Sequence, residues 1–196
     1  NDAEQFLTTC NTLSELGYRE VNLNLGCQMA TVVSKKKGSG FLEDPDRLDR
    51  FFDTVFEKME KQPEKQRCKI SVKTRLGVEI PEEFADILQV YNRYPISEVI
   101  IHPRLQKDFY NNYPNLDVFA EALKECVHPV CYNGDIFTVE DYYVFREKFP
   151  QVDRIMLGRG VIANPGLVRE IRTGQPVTTA ELKEYHDRLY AGYREE

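Results

Sequence analysis

The stretch Asn22-Leu23-Asn24-Leu25-Gly26-Cys27 decides how this chain reads. An apolar strand, Val21 to Leu25, runs into a glycine turn, and the turn presents one cysteine. Just downstream lies Lys35-Lys36-Lys37-Gly38-Ser39-Gly40, which reads as a basic and flexible loop. A thiol at the mouth of a strand, beside lysines that suit phosphate, points to chemistry on a polyanion. Taken alone, the triple lysine is a solvated loop. Its place just after Cys27 shifts the reading toward holding a nucleic-acid backbone near the thiol.

Outward from that strand the pattern alternates. A first helix precedes it, with Asp2 and Gln5 as its capping box, an apolar stripe of Phe6, Cys10, Leu13 and Leu16, and Gly17 as its stop. After the lysine loop, Asp44 caps and Pro45 starts a helix carrying Leu48, Phe52, Val55 and Met59. Cys68 to Thr74 is the next strand, and Pro81 begins a helix with Phe84, Leu88 and Tyr91. Glu98 to His102 is a third strand, a helix near Asn115 to Cys126 follows, and Pro129 to Tyr132 is a fourth strand. Thr138 and Asp141 cap another helix, Arg154 to Leu157 is the fifth strand, and Asn164-Pro165 opens a short helix.

Strands that return with a helix between them are βα units on a parallel sheet. Either a doubly wound sheet or a (β/α)₈ TIM barrel accommodates such repeats. The barrel is favoured by where the polar residues fall. Cys27, Lys73, His102, Asn133 and Gly158 all lie at the C-terminal ends of successive strands, the catalytic rim of a barrel. An open sheet would gather them at one switch point. Five strands do not close a barrel of eight, so roughly three βα units are expected before Asn1, given a usual barrel length of ~250 residues. The absence of a starting Met agrees with a chain that is part of something longer. Residues 1–175 are assigned to the partial barrel. After Gly174-Gln175-Pro176 the rhythm changes: Thr179 caps a polar helix, so residues 176–196 read as the start of a separate helical domain.

The 196 residues suffice for one good core and are too few for two large domains. No stretch is apolar enough to cross a membrane, and no secretory signal opens the chain. Five cysteines without a CxxC spacing argue against zinc and for reduced thiols in the cytoplasm. A net charge of −6 disfavours a generic nucleic-acid coat protein but leaves room for a local basic groove.

The strand ends carry the chemistry. Asn133-Gly134-Asp135 and Gly158-Arg159-Gly160 follow the last two strands. Either tripeptide alone is a tight turn. As a pair after the final strands of a barrel, they form a cup for a phosphate, with Arg159 adding a fork of donors. Lys73 is costly to bury at a barrel mouth unless it meets an anion, although a lysine that snorkels to solvent fits the sequence equally. His102 follows three apolar residues and precedes Pro103 and Arg104 at a strand exit, a setting that His128 and His186 lack. Cys27 has no adjacent histidine to make it a nucleophile, and an ordinary thiol, protonated at neutral pH, is a proton donor.

In combination these motifs resemble the tRNA-dihydrouridine synthase family, bacterial members in particular, from the first helix to about Ile171. The motifs are Asn-Leu-Asn-Leu-Gly-Cys (22–27), Gly-Ser-Gly-Phe-Leu (38–42), Val-Lys-Thr-Arg-Leu-Gly (72–77), Ile-His-Pro-Arg (101–104), Asn-Gly-Asp-Ile (133–136) and Met-Leu-Gly-Arg-Gly (156–160). The resemblance implies reduction of selected tRNA uridines to 5,6-dihydrouridine by FMN recharged with NADPH. It implies Cys27 as the general acid at uracil C5, with hydride delivered to C6. Asn24 falls on a contact to the target base. Arg104 matches a residue of the same site, and Lys35, Lys36 and Lys37 are assigned to the tRNA. Lys73 and His102 fall on flavin contacts, and Asn133, Gly134, Asp135, Gly158 and Arg159 on the phosphate end of FMN. It further implies that the tail begins a tRNA-binding domain; no metal is expected, and no obligate protein partner is evident in the sequence. Gln28 departs from the proline usual after the cysteine, which frees that backbone. Two other readings stay open: a dihydroorotate dehydrogenase-like FMN barrel acting on a small molecule, and a non-catalytic RNA-binding fragment.

Overall fold

The computed structural model describes residues 1–194. Two compact units divide it. The first comprises residues 1–133 and 153–155, the second residues 134–152 and 156 onward.

The first unit holds a five-stranded parallel sheet: β1 (Glu20–Leu25), β2 (Lys69–Thr74), β3 (Val99–Ile101), β4 (Val130–Tyr132) and β5 (Arg154–Ile155). The spatial order is β1-β2-β3-β4-β5, so every strand pairs in parallel with its neighbour in sequence. A doubly wound sheet reverses its strand order at a switch point. No reversal occurs here, and the architecture is that of consecutive βα units of a TIM barrel.

The register sorts the side chains onto two faces, because partners across a parallel ladder point the same way. Leu25, Thr74, Ile101, Tyr132 and Ile155 fall in one row, with Val72, Val99 and Val130 in the row before it. This apolar face lies beneath the helices. The opposite face carries Glu20, Asn22 and Asn24 from β1 against Lys69, Ser71 and Lys73 from β2. One face therefore builds a core, and the other is left for chemistry.

The helices of this unit are α1 (Ala3–Glu15), α2 (Ala30–Val33), α3 (Pro45–Glu60), α4 (Glu83–Asn92) and α5 (Leu116–Glu125). The Asp2, Asp44 and Asn115 side chains accept from the N–H groups of Gln5, Arg47 and Val118, and so cap α1, α3 and α5. Leu48, Phe52 and Val55 of α3 are fully buried. Phe52 meets Phe51, Tyr91 and Tyr94 at ring distances of 5.4, 6.0 and 5.6 Å. Each such side chain contributes about 1.5–3 kcal/mol by leaving water. Tyr91 donates to Thr74 Oγ1 at 2.9 Å, which ties α4 to the end of β2. Under α1, Cys10, Val21 and Cys68 cluster with Phe6 and Leu13, and burial pushes the Cys10 thiol up to about 11. Leu16, expected in the α1 stripe, lies past the helix end and is 71% exposed; Leu7 is buried instead.

The second unit contains α6 (Val139–Lys148), α7 (Arg159–Ala163), α8 (Leu167–Thr173) and α9 (Thr179–Arg194). Thr138 and Asp141 form the expected capping box of α6. The cap of α9 lies one residue earlier than the sequence suggests. Thr178 Oγ1 accepts from the Glu181 N–H, and the Glu181 carboxylate accepts from the Thr178 N–H. Gly158-Arg159-Gly160 is the start of α7 rather than a free turn, and Asn164 ends that helix before α8 begins. No helix among the described residues is long and apolar enough to cross a membrane.

Candidate active site

At the C-terminal edge of the sheet in the first unit, the ladder pairs Asn24 with Lys73, and Lys73 with Ile100. Asn24 and Lys73 thus stand on adjacent strands, roughly 5 Å apart, with side chains on the same face. His102 follows β3 and Asn133 follows β4; their N–H groups donate to Thr74 O and Ile101 O, both at 2.9 Å. Ile100 and Cys131 share the row of Lys73, and by strand alternation His102 and Asn133, two residues further along, fall on the same face one step beyond it.

The Lys73 ammonium makes no hydrogen bond or ion pair among the described residues, although the residue is half-buried. Its pKa is lowered, first by burial and then by the Arg75 charge. A cation held this way gains from any electron-rich group brought to it.

His102 is buried, and its Nε2 lies 2.9 Å from Arg104 Nη1. A guanidinium only donates, so Nε2 accepts and the ring proton sits on Nδ1. Arg104 is 2% exposed and also donates to Asn112 O at 2.5 Å. It therefore meets the site through His102 and the following loop.

The Cys27 thiol is half-buried two residues beyond β1. Its carbonyl accepts twice from Ser39, from N at 2.9 Å and from Oγ at 2.8 Å. Ser39 is 0% exposed and lies in a 3₁₀ turn, Gly38–Phe41, that is buried throughout. The supposed flexible loop is thus packed under the cysteine. Gly38 has φ +56°, and a Cβ there would stand 2.6 Å from Cys27 O. Gly26, by contrast, has an ordinary φ and room for a Cβ, with its nearest neighbours at 3.7 Å. Asn24 Oδ1 accepts from the Gly26 N–H at 3.0 Å and shapes that bend. Of the three lysines, all exposed, Lys36 pairs with Glu43, and the carbonyls of Lys35 and Lys36 accept from Asn1 Nδ2.

One residue of this edge was not singled out by the sequence. Arg75 is 1% exposed, and it donates from Nε to Gly26 O (3.1 Å), from Nη1 to Leu105 O (2.7 Å) and from Nη2 to Phe109 O (3.0 Å). Its guanidinium also lies 5.6 Å from the centre of the Tyr110 ring. Its place in the 72–77 motif, two residues after Lys73, is the hint the sequence offers.

In the second unit the two glycine segments come together. Gly160 abuts the Ile136 carbonyl so closely that a Cβ would fall 2.1 Å from the oxygen. Arg159 Nη2 bonds Asp135 Oδ1 at 2.5 Å, and its guanidinium lies 5.1 Å from the centre of the Phe137 ring. Asp135 and Arg159 are thus partners, with Gly134 and Gly158 on the same two segments.

Polar residues ranged along the C-terminal edge of an unreversed parallel sheet define the barrel enzymes as a class. Solved structures agree on the fold: histamine dehydrogenase from Rhizobium sp. 4-9 superposes with a TM-score of 0.60 at 13% identity, covering 88% of this chain and 28% of that one. The old yellow enzyme homologue from Zymomonas mobilis gives 0.57 at 15% identity, covering 90% and 53%. The sequence model for dihydrouridine synthase (Dus) matches residues 1–192, and the chain belongs to that family. A tRNA-dihydrouridine(16) synthase of Pseudomonas syringae pv. tomato is 31% identical over 175 residues, 86% of this chain and 53% of the relative. A probable tRNA-dihydrouridine synthase of Staphylococcus aureus is 28% identical over 200 residues, 98% and 58% respectively. The chain spans about half the length of these curated relatives.

Proposed function

We propose that this chain is the part of a cytoplasmic, flavin-dependent tRNA-dihydrouridine synthase that carries its proton donor and part of its cofactor site. The observation that carries the reading is the Lys73 ammonium, without a hydrogen bond or ion pair among the described residues and in register with Asn24. Such a cation suits the electron-rich side of a reduced flavin, and the Nδ1–H of His102 suits a ring carbonyl or nitrogen. The residues present fit FMN in chemical kind. Lys73, His102 and Asn133 would hold the ring and its chain. Within the second unit, the Gly134 and Gly158 N–H groups and Arg159, paired with Asp135, are of the chemical kind that holds a phosphate. Bound there, FMN recharged by NADPH supplies the hydride that adds to C6 of uracil.

The chain's own residues do the rest. Cys27 donates its proton to C5, and the thiolate left behind is reprotonated from solvent. Asn24 hydrogen-bonds the target base, which leaves its stack to reach the site. Ser39 fixes the Cys27 main chain, and Arg104 holds the tautomer of His102. Lys35 and Lys37, with Lys36 beside Glu43, meet the tRNA backbone. Residues 1–175 form the barrel part, and residues 176–196 begin a helical tRNA-binding domain.

The test uses the intact protein with Cys27→Ala. Flavin absorbance stays at the wild-type level, and dihydrouridine formed in tRNA falls to near background. Unchanged turnover removes Cys27 as the acid. Wild-type protein with flavin but no action on tRNA favours a small-molecule reductase. Absence of both favours a non-catalytic RNA binder.

A further inference from the structure

We propose that Arg75 is a positioning residue that fixes the Cys27 loop against the loop after β3, by binding the carbonyls of Gly26, Leu105 and Phe109 with one guanidinium. The inference rests on the reading of Cys27 as the proton donor.

Burying an arginine is expensive unless its donors are met. Here three of its nitrogens each reach a main-chain oxygen, and those oxygens belong to two different strand exits. Gly26 is the residue immediately before Cys27. Leu105 and Phe109 lie in the segment that follows His102. A planar fork spans such a set, whereas a lysine with one nitrogen does not.

The second strand exit is under tension that the arginine counters. Phe109 has φ +50°, a left-handed conformation that L side chains disfavour. Its carbonyl is one of the three that Arg75 binds, and the ring of the next residue, Tyr110, lies beside the guanidinium. The far end of the same loop is held by Arg104, which binds Asn112 O and His102 Nε2. A continuous series of hydrogen bonds and main chain thus runs from Gly26 through Arg75, the 105–112 loop and Arg104 to His102. It sets the offset between the proton donor and the histidine, although Arg75 need not touch substrate.

The experiment compares wild type and Arg75→Lys in the intact protein. Three quantities are read: tRNA reduction, iodoacetamide alkylation of each cysteine, and amide exchange of residues 105–109. Expected for the variant is a kcat lowered by about 100-fold, as for a reacting group displaced by an ångström, with KM for tRNA little changed. Alkylation of Cys27 changes several-fold while that of Cys126, also half-buried, stays constant, and exchange at 105–109 accelerates. General loosening would move both cysteines together and overturn the proposal; so would Cys27 alkylation and loop exchange both at wild-type values. If wild type reduces no tRNA, the functional reading fails, while the alkylation and exchange results still decide whether Arg75 holds the two loops. Should Arg75→Lys not fold, the Arg75 Nε–H of the wild type is measured by nuclear magnetic resonance. Slow exchange with water supports the clamp, and exchange as fast as at an exposed arginine overturns it.

Discussion

Replacing Gly38 with alanine tests the link between the buried turn and the cysteine above it. Two costs add. An alanine at φ +56° bears roughly 1–2 kcal/mol for the left-handed backbone. Its Cβ would also lie 2.6 Å from Cys27 O and 3.0 Å from both Cys27 Cβ and Val32 Cγ1. Relief requires the Cys27 main chain to move, and overpacking of this kind costs about 1–3 kcal/mol. The sum, about 2–5 kcal/mol, is a large share of the ~5–15 kcal/mol that holds a domain together. The carbonyl that must shift is the one Ser39 grips twice, so the displacement reaches Cys27 directly. Gly26→Ala is the control, since its Cβ would meet only ordinary contacts and costs under about 1 kcal/mol. Urea midpoints give the stability change, and dihydrouridine in tRNA gives the functional one. Gly38→Ala is expected to lose both, and Gly26→Ala neither. Equal behaviour of the two variants would refute the view that the Gly38 turn, and not the Gly26 bend, sets the place of Cys27.

Three further outcomes are expected. Lys73 has a folded pKa lowered from the ordinary 10.5, so between that lowered value and 10.5 the unfolded chain holds a proton the folded chain lacks. Its presence makes stability rise with pH across that window, and Lys73→Met should remove that rise in urea titrations while weakening flavin retention. Phe52→Ala empties a fully buried, ring-lined position and should cost about 3–5 kcal/mol by calorimetry or urea. Hydrogen bonds from Arg169 and Thr178 hold the Glu181 carboxyl down to about 2. That contribution is present above 4.5 and lost as pH falls toward 2, so the acid-induced loss of circular-dichroism helicity should be weaker in Glu181→Gln.

The sheet was legible because its strands are short apolar runs bounded by glycine, proline or a charged exit, and because β-capable runs alternate with capped helices. The capping residues Asp44 and Thr138 state their role locally, three residues ahead of the N–H they bind. Tertiary contacts were less legible. Gly38-Ser39-Gly40 has the composition of a mobile linker, yet its missing side chains let the main chain pass under Cys27, and composition does not separate those two uses of glycine. Gly158-Arg159-Gly160 read as a turn for the same reason, although Gly160 is a close-approach residue within a short helix. The role of Arg75 was not legible, because its three acceptors are carbonyls, which every residue possesses and no side-chain pattern reveals. Lys73 and His102 were legible because each stands at the C-terminal end of an apolar strand, a regularity that survives without coordinates.

The neighbour-with-neighbour strand order also shapes how the chain acquires structure. Among the described residues each pairing joins strands that are consecutive in sequence, so none of these pairings skips a strand. The ladders shorten along the sequence, from six matched residues between β1 and β2 to two between β4 and β5. Early protection in pulse-labelled refolding should therefore concentrate at the longest of these seams, Val21–Leu25 with Ile70–Thr74, and the shortest, between β4 and β5, should close late.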